Sequence, residues 1–222
     1  MALLEPFRGQ VPERVFTEIY SVPKTDGSGN ARGNLRIAAK MLDEAGWRVG
    51  DDGIRAKEGV RLSFEILDSN PLFERWVLPF VKNLKRLGVE AKFRVVDSAQ
   101  YQNRMNDFDF DMTISAFGQS NSPGNEQRDF WGSAKSEMQG SRNLIGVQDP
   151  VVDRLIDMII QAESREDLVM KVRALDRVLL AQHYVIPMWH YPKWRVAYDA
   201  GIKRPEALSG ISPLIAQSWW RE

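Results

Sequence analysis

The sequence predicts an α/β fold, a mixed and mostly parallel sheet flanked by helices. Residues 60–67 and 89–96 alternate apolar and polar side chains at a period of two, as strands do. Between them Trp76, Phe80, Leu84 and Leu87 recur at helical spacing. The 60–96 stretch is therefore a βαβ unit, which implies a parallel pair joined by a right-handed crossover. Farther on, Asp149-Pro150 and Ser164 each open an amphipathic helix, and the two helices form an antiparallel pair.

Taken in order, residues 1–33 read as irregular, punctuated by Pro6, Pro12 and Pro23 and by a turn cluster over 25–30. Leu35, Ala38, Ala39 and Leu42 mark the first helix, and Gly46 stops it. Trp47, Val49, the turn Gly50-Asp-Asp-Gly53 and Ile54 suggest a small hairpin. Ser69 or Asn70 caps the helix of the βαβ unit, Pro71 lies in its first turn, Pro79 bends it and Gly88 ends it. A short helix near 98–106 precedes a strand with Phe108, Phe110, Met112 and Ile114 on one face. Asp107, Asp109, Asp111 and Thr113 lie on the other. That strand runs into Gly118-Gln-Ser-Asn-Ser-Pro-Gly124, a loop of amides and hydroxyls without a charged side chain, and closes on Phe130 and Trp131. Val152, Leu155, Ile156, Ile159 and Ile160 line the next helix; Leu168, Val172, Leu175, Val178 and Leu179 line the last. Residues 185–189 and 194–198 read as strands, and 203–222 show little pattern beyond Trp219-Trp220.

Composition excludes several function classes. Thirty basic residues balance thirty acidic ones, so no basic field exists to hold phosphates and no nucleic-acid partner is expected. The absence of cysteine removes disulfides, thiolate catalysis and Cys-based zinc sites. No apolar run approaches the roughly 18–20 residues that span a bilayer. The start Met1-Ala-Leu-Leu-Glu-Pro lacks a signal-peptide pattern, which taken alone reads as cytoplasmic.

The chemistry-bearing residues favour binding over catalysis. His183 and His190 are seven apart across a helix–strand junction, which is no ligand spacing. Asp107, Asp109 and Asp111 lack the Gly and Glu that a calcium loop needs. Neither Ser120 nor Ser122 has the glycine on both sides that a nucleophile elbow needs, and Pro123-Gly124 follows where the motif has a helix. No metal or cofactor is expected, and the chain reads as a non-enzyme. The alternative is a stand-alone α/β serine hydrolase using Ser120 or Ser122 with His190. Loop 118–124, flanked by aromatics, suits a polar ligand, with amides giving orientation and rings giving area. Its plain alternative is a surface loop after a core strand. Arg142-Asn143 adds a fixed charge and an amide in a loop that can face it; the plain alternative there is a solvated arginine.

An ordered set of segments then resembles a known family. It comprises the helix over 35–46 ending Ala-Gly-Trp, Phe73-Glu-Arg-Trp-Val-Leu-Pro-Phe within 73–89, and Phe110-Asp-Met-Thr-Ile-Ser-Ala-Phe117. Asp149-Pro-Val-Val-Asp-Arg-Leu-Ile156 and Val185-Ile-Pro-Met-Trp-His190 complete it. The set resembles the C-terminal half of periplasmic oligopeptide- and dipeptide-binding proteins, the family 5 extracellular solute-binding proteins of ABC importers. The stretches 122–133 and 141–146 look most like the microcin C-type peptide-binding branch. The resemblance implies a periplasmic binding protein-like lobe over 34–200. Residues 1–33 would connect it to a first lobe that is missing here, and 201–222 would return toward that lobe. It implies a periplasmic location, an ABC transporter permease as partner, and a peptide enclosed between lobes. Bared of its first lobe, the chain is expected to self-associate.

The resemblance also places the ligand contacts. The strand over 113–118 supplies main-chain hydrogen bonds, and Phe117 borders the ligand with Trp131 as stacking area. Gly118, Gln119, Ser120, Asn121 and Ser122 supply polar contacts, and Arg142 and Asn143 a second set. Where relatives carry an acid for the peptide's ammonium group, this sequence has Ser120; where they carry a strand arginine, it has Ile114. The implied ligand is therefore a peptide with a blocked or modified terminus, or another polar solute.

Overall fold

The computed structural model describes residues 2–188, 196–205 and 219–221. The N-terminal segment is more ordered than its prolines suggest. Ala2–Phe7 forms a 3₁₀ helix and Arg14–Thr17 a short helix, α1. Leu4 and Val15 are each 1% exposed, so this segment belongs to the core. Elements of one or two turns present too few apolar positions for a period to show.

Helix α2 (Arg32–Glu44) ends at Gly46, whose φ of 90° is the left-handed stop expected of glycine. The expected hairpin follows: β1 (Arg48–Val49) pairs antiparallel with β2 (Arg55–Lys57). The single strand expected over 60–67 divides. β3 (Val60–Arg61) pairs with β2, whereas β4 (Ser63–Asp68) enters a second sheet. Leu62 is the switch: its N–H donates to the Arg55 carbonyl and its own carbonyl accepts from Glu90. Alternation persists across such a switch, so the break leaves no mark on the pattern.

Helix α3 (Glu74–Arg86) leads to β5 (Glu90–Val95), and α4 (Ser98–Asn106) to β6 (Met112–Thr113). Both β5 and β6 pair parallel with β4, in the order β5-β4-β6, so the second crossover passes over the central strand. Buried Arg55 ties these parts together. It donates to the carbonyls of Leu87 at 2.6 Å and Trp47 at 2.7 Å, and to Asp43 at 2.6 Å.

One expected strand is much shorter than its alternation suggests. Residues 107–110 are a turn off the end of α4, with Asp109 N–H donating to Arg104 and Phe108 at a φ of 56°. Only Met112–Thr113 joins the sheet. The three aspartates are occupied within the fold. Asp109 pairs with Arg104 at 2.7 Å, Asp111 accepts from the Glu65 amide, and Asp107 accepts from Gln139.

The main core is helical. α5 (Gln127–Trp131) packs on α6 (Pro150–Ile160), which packs on α7 (Arg165–Ala181). The antiparallel pair forms as expected. The Asp149 carboxylate caps α6 through Val151 and Val152, and the Ser164 hydroxyl caps α7 through Asp167. Leu155, Ile156, Ile159, Leu175 and Val178 fill the interface, with Leu4, Val11 and Val15 on its outer side. Of the late strands expected, 185–188 are irregular, and Trp189, Trp194 and His190 lie outside the described residues. An unexpected antiparallel pair joins β7 (Ile202–Lys203) to β8 (Trp220–Arg221).

Candidate ligand-binding site

Parallel strands converge their carboxyl ends on one edge, and open α/β sheets bind ligands outside that edge. Here the edge is formed by Asp68, Val95 and Thr113. The polar loop leaves the sheet from it. Its root is fixed, because the Thr113 hydroxyl donates to the Leu67 carbonyl at 3.0 Å and shares a hydrogen bond with Tyr101 at 3.1 Å. Beyond that root the chain is open. Ser115, Ala116 and Gly118 through Ser122 are exposed and Phe117 is half-buried. Among the described residues, the main-chain N–H and C=O groups of 115–120 have no hydrogen-bond partner. A Cβ placed on Gly118 would meet nothing within 4 Å.

Side chains tether the loop at several points. Gln119 Oε1 accepts from buried Gln127 at 2.7 Å. The Ser120 hydroxyl accepts from the Ser122 amide, a local turn bond. Arg165, at the start of α7, donates to the Asn121 carbonyl. Glu126 accepts from the Gly124 amide and from Gln127. Burial pushes the Glu126 carboxyl up, but the bonds donated by Gly124, its own amide and Gln127 prevail and hold it below its ordinary value. Nothing in the sequence pattern marks Glu126 or Gln127 as parts of the loop's support; only their spacing from Gln119 and Gly124 in the fold does so.

Behind the loop is an aromatic cluster. Phe117 meets Phe130 edge-on at 5.5 Å and Trp131 at 4.7 Å between centroids. Trp131 is buried, so it backs Phe117 and presents little open ring area of its own. Gly132 is required just after it, since a Cβ there would lie 2.6 Å from the Arg128 carbonyl. The structure brings Arg142 to the same cluster: its guanidinium lies 4.3 Å from the Phe130 centroid. Asn143, expected beside it as a ligand contact, turns inward instead. Its side chain is 0% exposed, donates to the Gly132 and Val147 carbonyls and accepts from the Val147 amide. Its amide is spent on the fold, because three backbone groups of a buried turn need those partners.

His183 Nε2 accepts from the Arg14 guanidinium at 3.0 Å, just past the far end of α7. His190 lies outside the described residues.

Residues 9–139 match the family model of bacterial extracellular solute-binding proteins, family 5, middle region. The chain belongs to this family. Relatives include the "Probable peptide-binding protein YejA" of Agrobacterium fabrum, 42% identical over 99% of this chain and 36% of the relative. The "Peptidoglycan-binding protein YepA" of the same organism is 40% identical, again over 99% of this chain and 36% of the relative. Neither name marks the microcin C-type branch. The chain spans about a third of the length of the curated relatives it matches. Among solved structures, the Thermotoga maritima periplasmic oligopeptide-binding protein TM1223 superposes with a TM-score of 0.67 at 20% identity, over 87% of this chain and 35% of that one. The fold is thus that of a family 5 binding-protein lobe. Neither the family match nor the geometry supports the serine-hydrolase alternative.

Proposed function

We propose that this family 5 chain forms one wall of the cleft of the substrate-binding component of an ABC importer for peptides or modified peptides. The unpaired main chain of 115–120, at the carboxyl edge of the parallel sheet, carries the reading. A peptide docks there by strand addition, with backbone bonds giving affinity that is tolerant of side-chain sequence. Phe117 borders the bound chain and Gly118 lets it approach closely. Gln119, Ser120, Asn121, Ser122 and Arg142 supply polar contacts, while Trp131 and Asn143 support them from behind. Because the loop carries Ser120 and no acid, the bound peptide is not held by a free ammonium group. The names of the two relatives, one peptide-binding and one peptidoglycan-binding, support a peptide or peptide-bearing ligand.

The opposite wall belongs to the rest of a protein about three times as long, as the relatives' lengths support. Residues 34–200 act as the second lobe in this reading, with 18–33 and 201–222 as its connections and the folded start of the chain docked on α7. The lobes close by hinge motion around the ligand and then dock on a membrane permease, in the periplasm. Among the described residues no helix is long and apolar enough to cross a membrane. Calorimetry tests this directly. The 222-residue chain should bind acetylated and free tripeptides more weakly than micromolar; micromolar or tighter binding would contradict a shared cleft.

A further inference from the structure

Arg142 is exposed, forms no salt bridge and donates no side-chain hydrogen bond among the described residues. Its guanidinium instead rests on Phe130, a ring that is 2% exposed and is shared with Phe117. A stacked guanidinium has its π face occupied and its orientation restricted, while its N–H donors remain free in the plane for a bidentate acceptor. Much of the ordering entropy of a long side chain is therefore spent before a ligand arrives. The surroundings reinforce the sign. Residues 114–122 contain no ionisable side chain, and the acids flanking them are engaged: Asp111 Oδ2 accepts from the Glu65 amide and Glu126 Oε1 from the Gly124 and Gln127 donors. Of the charges near this wall, Arg165 is engaged by the Asn121 carbonyl and Asp68 is buried and accepts from the Asn70 amide, whereas Arg142 is a preoriented cation without an ion-pair partner among the described residues.

We infer that the site selects anionic peptides, with Arg142 as a specificity-determining residue that holds a carboxylate of the ligand. This rests on the proposed peptide-binding reading and narrows it: the ligand presents a carboxylate, terminal or side-chain, to the 115–122 wall. An arginine here also disfavours peptides whose near end is cationic, since like charges repel and the guanidinium cannot deprotonate.

The test titrates the full 222-residue chain with acetyl-trialanine bearing a free carboxylate and with the same peptide amidated, followed by amide chemical shifts, which register weak binding. The expected result is binding of the carboxylate form about tenfold tighter than the amide, with the preference lost in Arg142→Gln and partly kept in Arg142→Lys. The spectrum of each variant reports whether the fold is intact, so loss of preference is separable from unfolding. Equal binding of the two peptides, or a preference that survives Arg142→Gln, would overturn the inference while leaving peptide binding in place. Binding of neither would overturn the peptide reading and this inference with it.

Discussion

Arg55 and Asn143 are polar side chains working inside the fold. Arg55 is 5% exposed and serves the carbonyls of Leu87 and Trp47, so Arg55→Ala should cost about 3 kcal/mol in urea unfolding, because two half-buried carbonyls and Asp43 lose their donor. Asn143→Ala orphans three backbone groups and should cost roughly the same. Its fully buried side chain predicts no direct change in ligand contacts. Ser120 is the opposite case, exposed and, among the described residues, bonded within its own turn. Ser120→Asp should shift preference toward peptides with a free N-terminus by about tenfold, ~1.4 kcal/mol, read by competition titration. That residues 118–124 form a polar loop was legible because alternation ended before them and uncharged donors followed. It misplaced Asn143, since an Asn serving ligand and an Asn serving a buried turn look alike until the turn is built. Glu126 and Gln127 were missed because a carboxylate that accepts backbone bonds carries no local signature.

At the scale of elements, the helices were legible and the strands only partly so. Helices α6 and α7 followed from their caps and apolar stripes, and their interface holds the main core. Leu155→Ala at its fully buried centre should cost about 2–5 kcal/mol, measured by denaturant midpoint. The βαβ unit was legible too, because the period switches from 2 to 3.6 and back. Two strand errors have the same cause: alternation persists through a change of partner or into a turn. It ran across Leu62, where β3 gives way to β4, and through Phe108, whose left-handed backbone removes 107–110 from the sheet. The N-terminal segment was missed for a different reason. Its burial depends on α7, through Arg177 donating to the Val15 and Glu18 carbonyls, and no local pattern encodes a contact so distant in sequence.

For the whole molecule, surface charge sets the response to acid. Arg55 holds the Asp43 carboxyl below its ordinary value, the bonds around Glu126 do the same, and Lys171 lowers Asp167. A depressed carboxyl contributes stability that is present above its unfolded pKa and lost as pH falls through its folded one. The unfolding midpoint should therefore fall as pH drops below about 4, the range of free carboxyls; a midpoint unchanged down to pH 2 would contradict these pairings. Apolar side chains also remain open, with Ile19 85%, Leu72 69% and Ile37 61% exposed. Light scattering should show concentration-dependent association of the chain. A strict monomer would mean these patches are tolerated without cover.

Residues 115–122 are proposed as the ligand wall. Backbone amide shifts of the 222-residue chain, titrated with acetyl-tetraalanine, test it most directly. The largest changes are expected over 115–122 and at Arg142, with a Kd of about 1 mM, as the proposed shared cleft requires of one wall alone. Changes centred on another face, such as the groove between Tyr20 and Met170 on α7, with 115–122 unmoved, would contradict it.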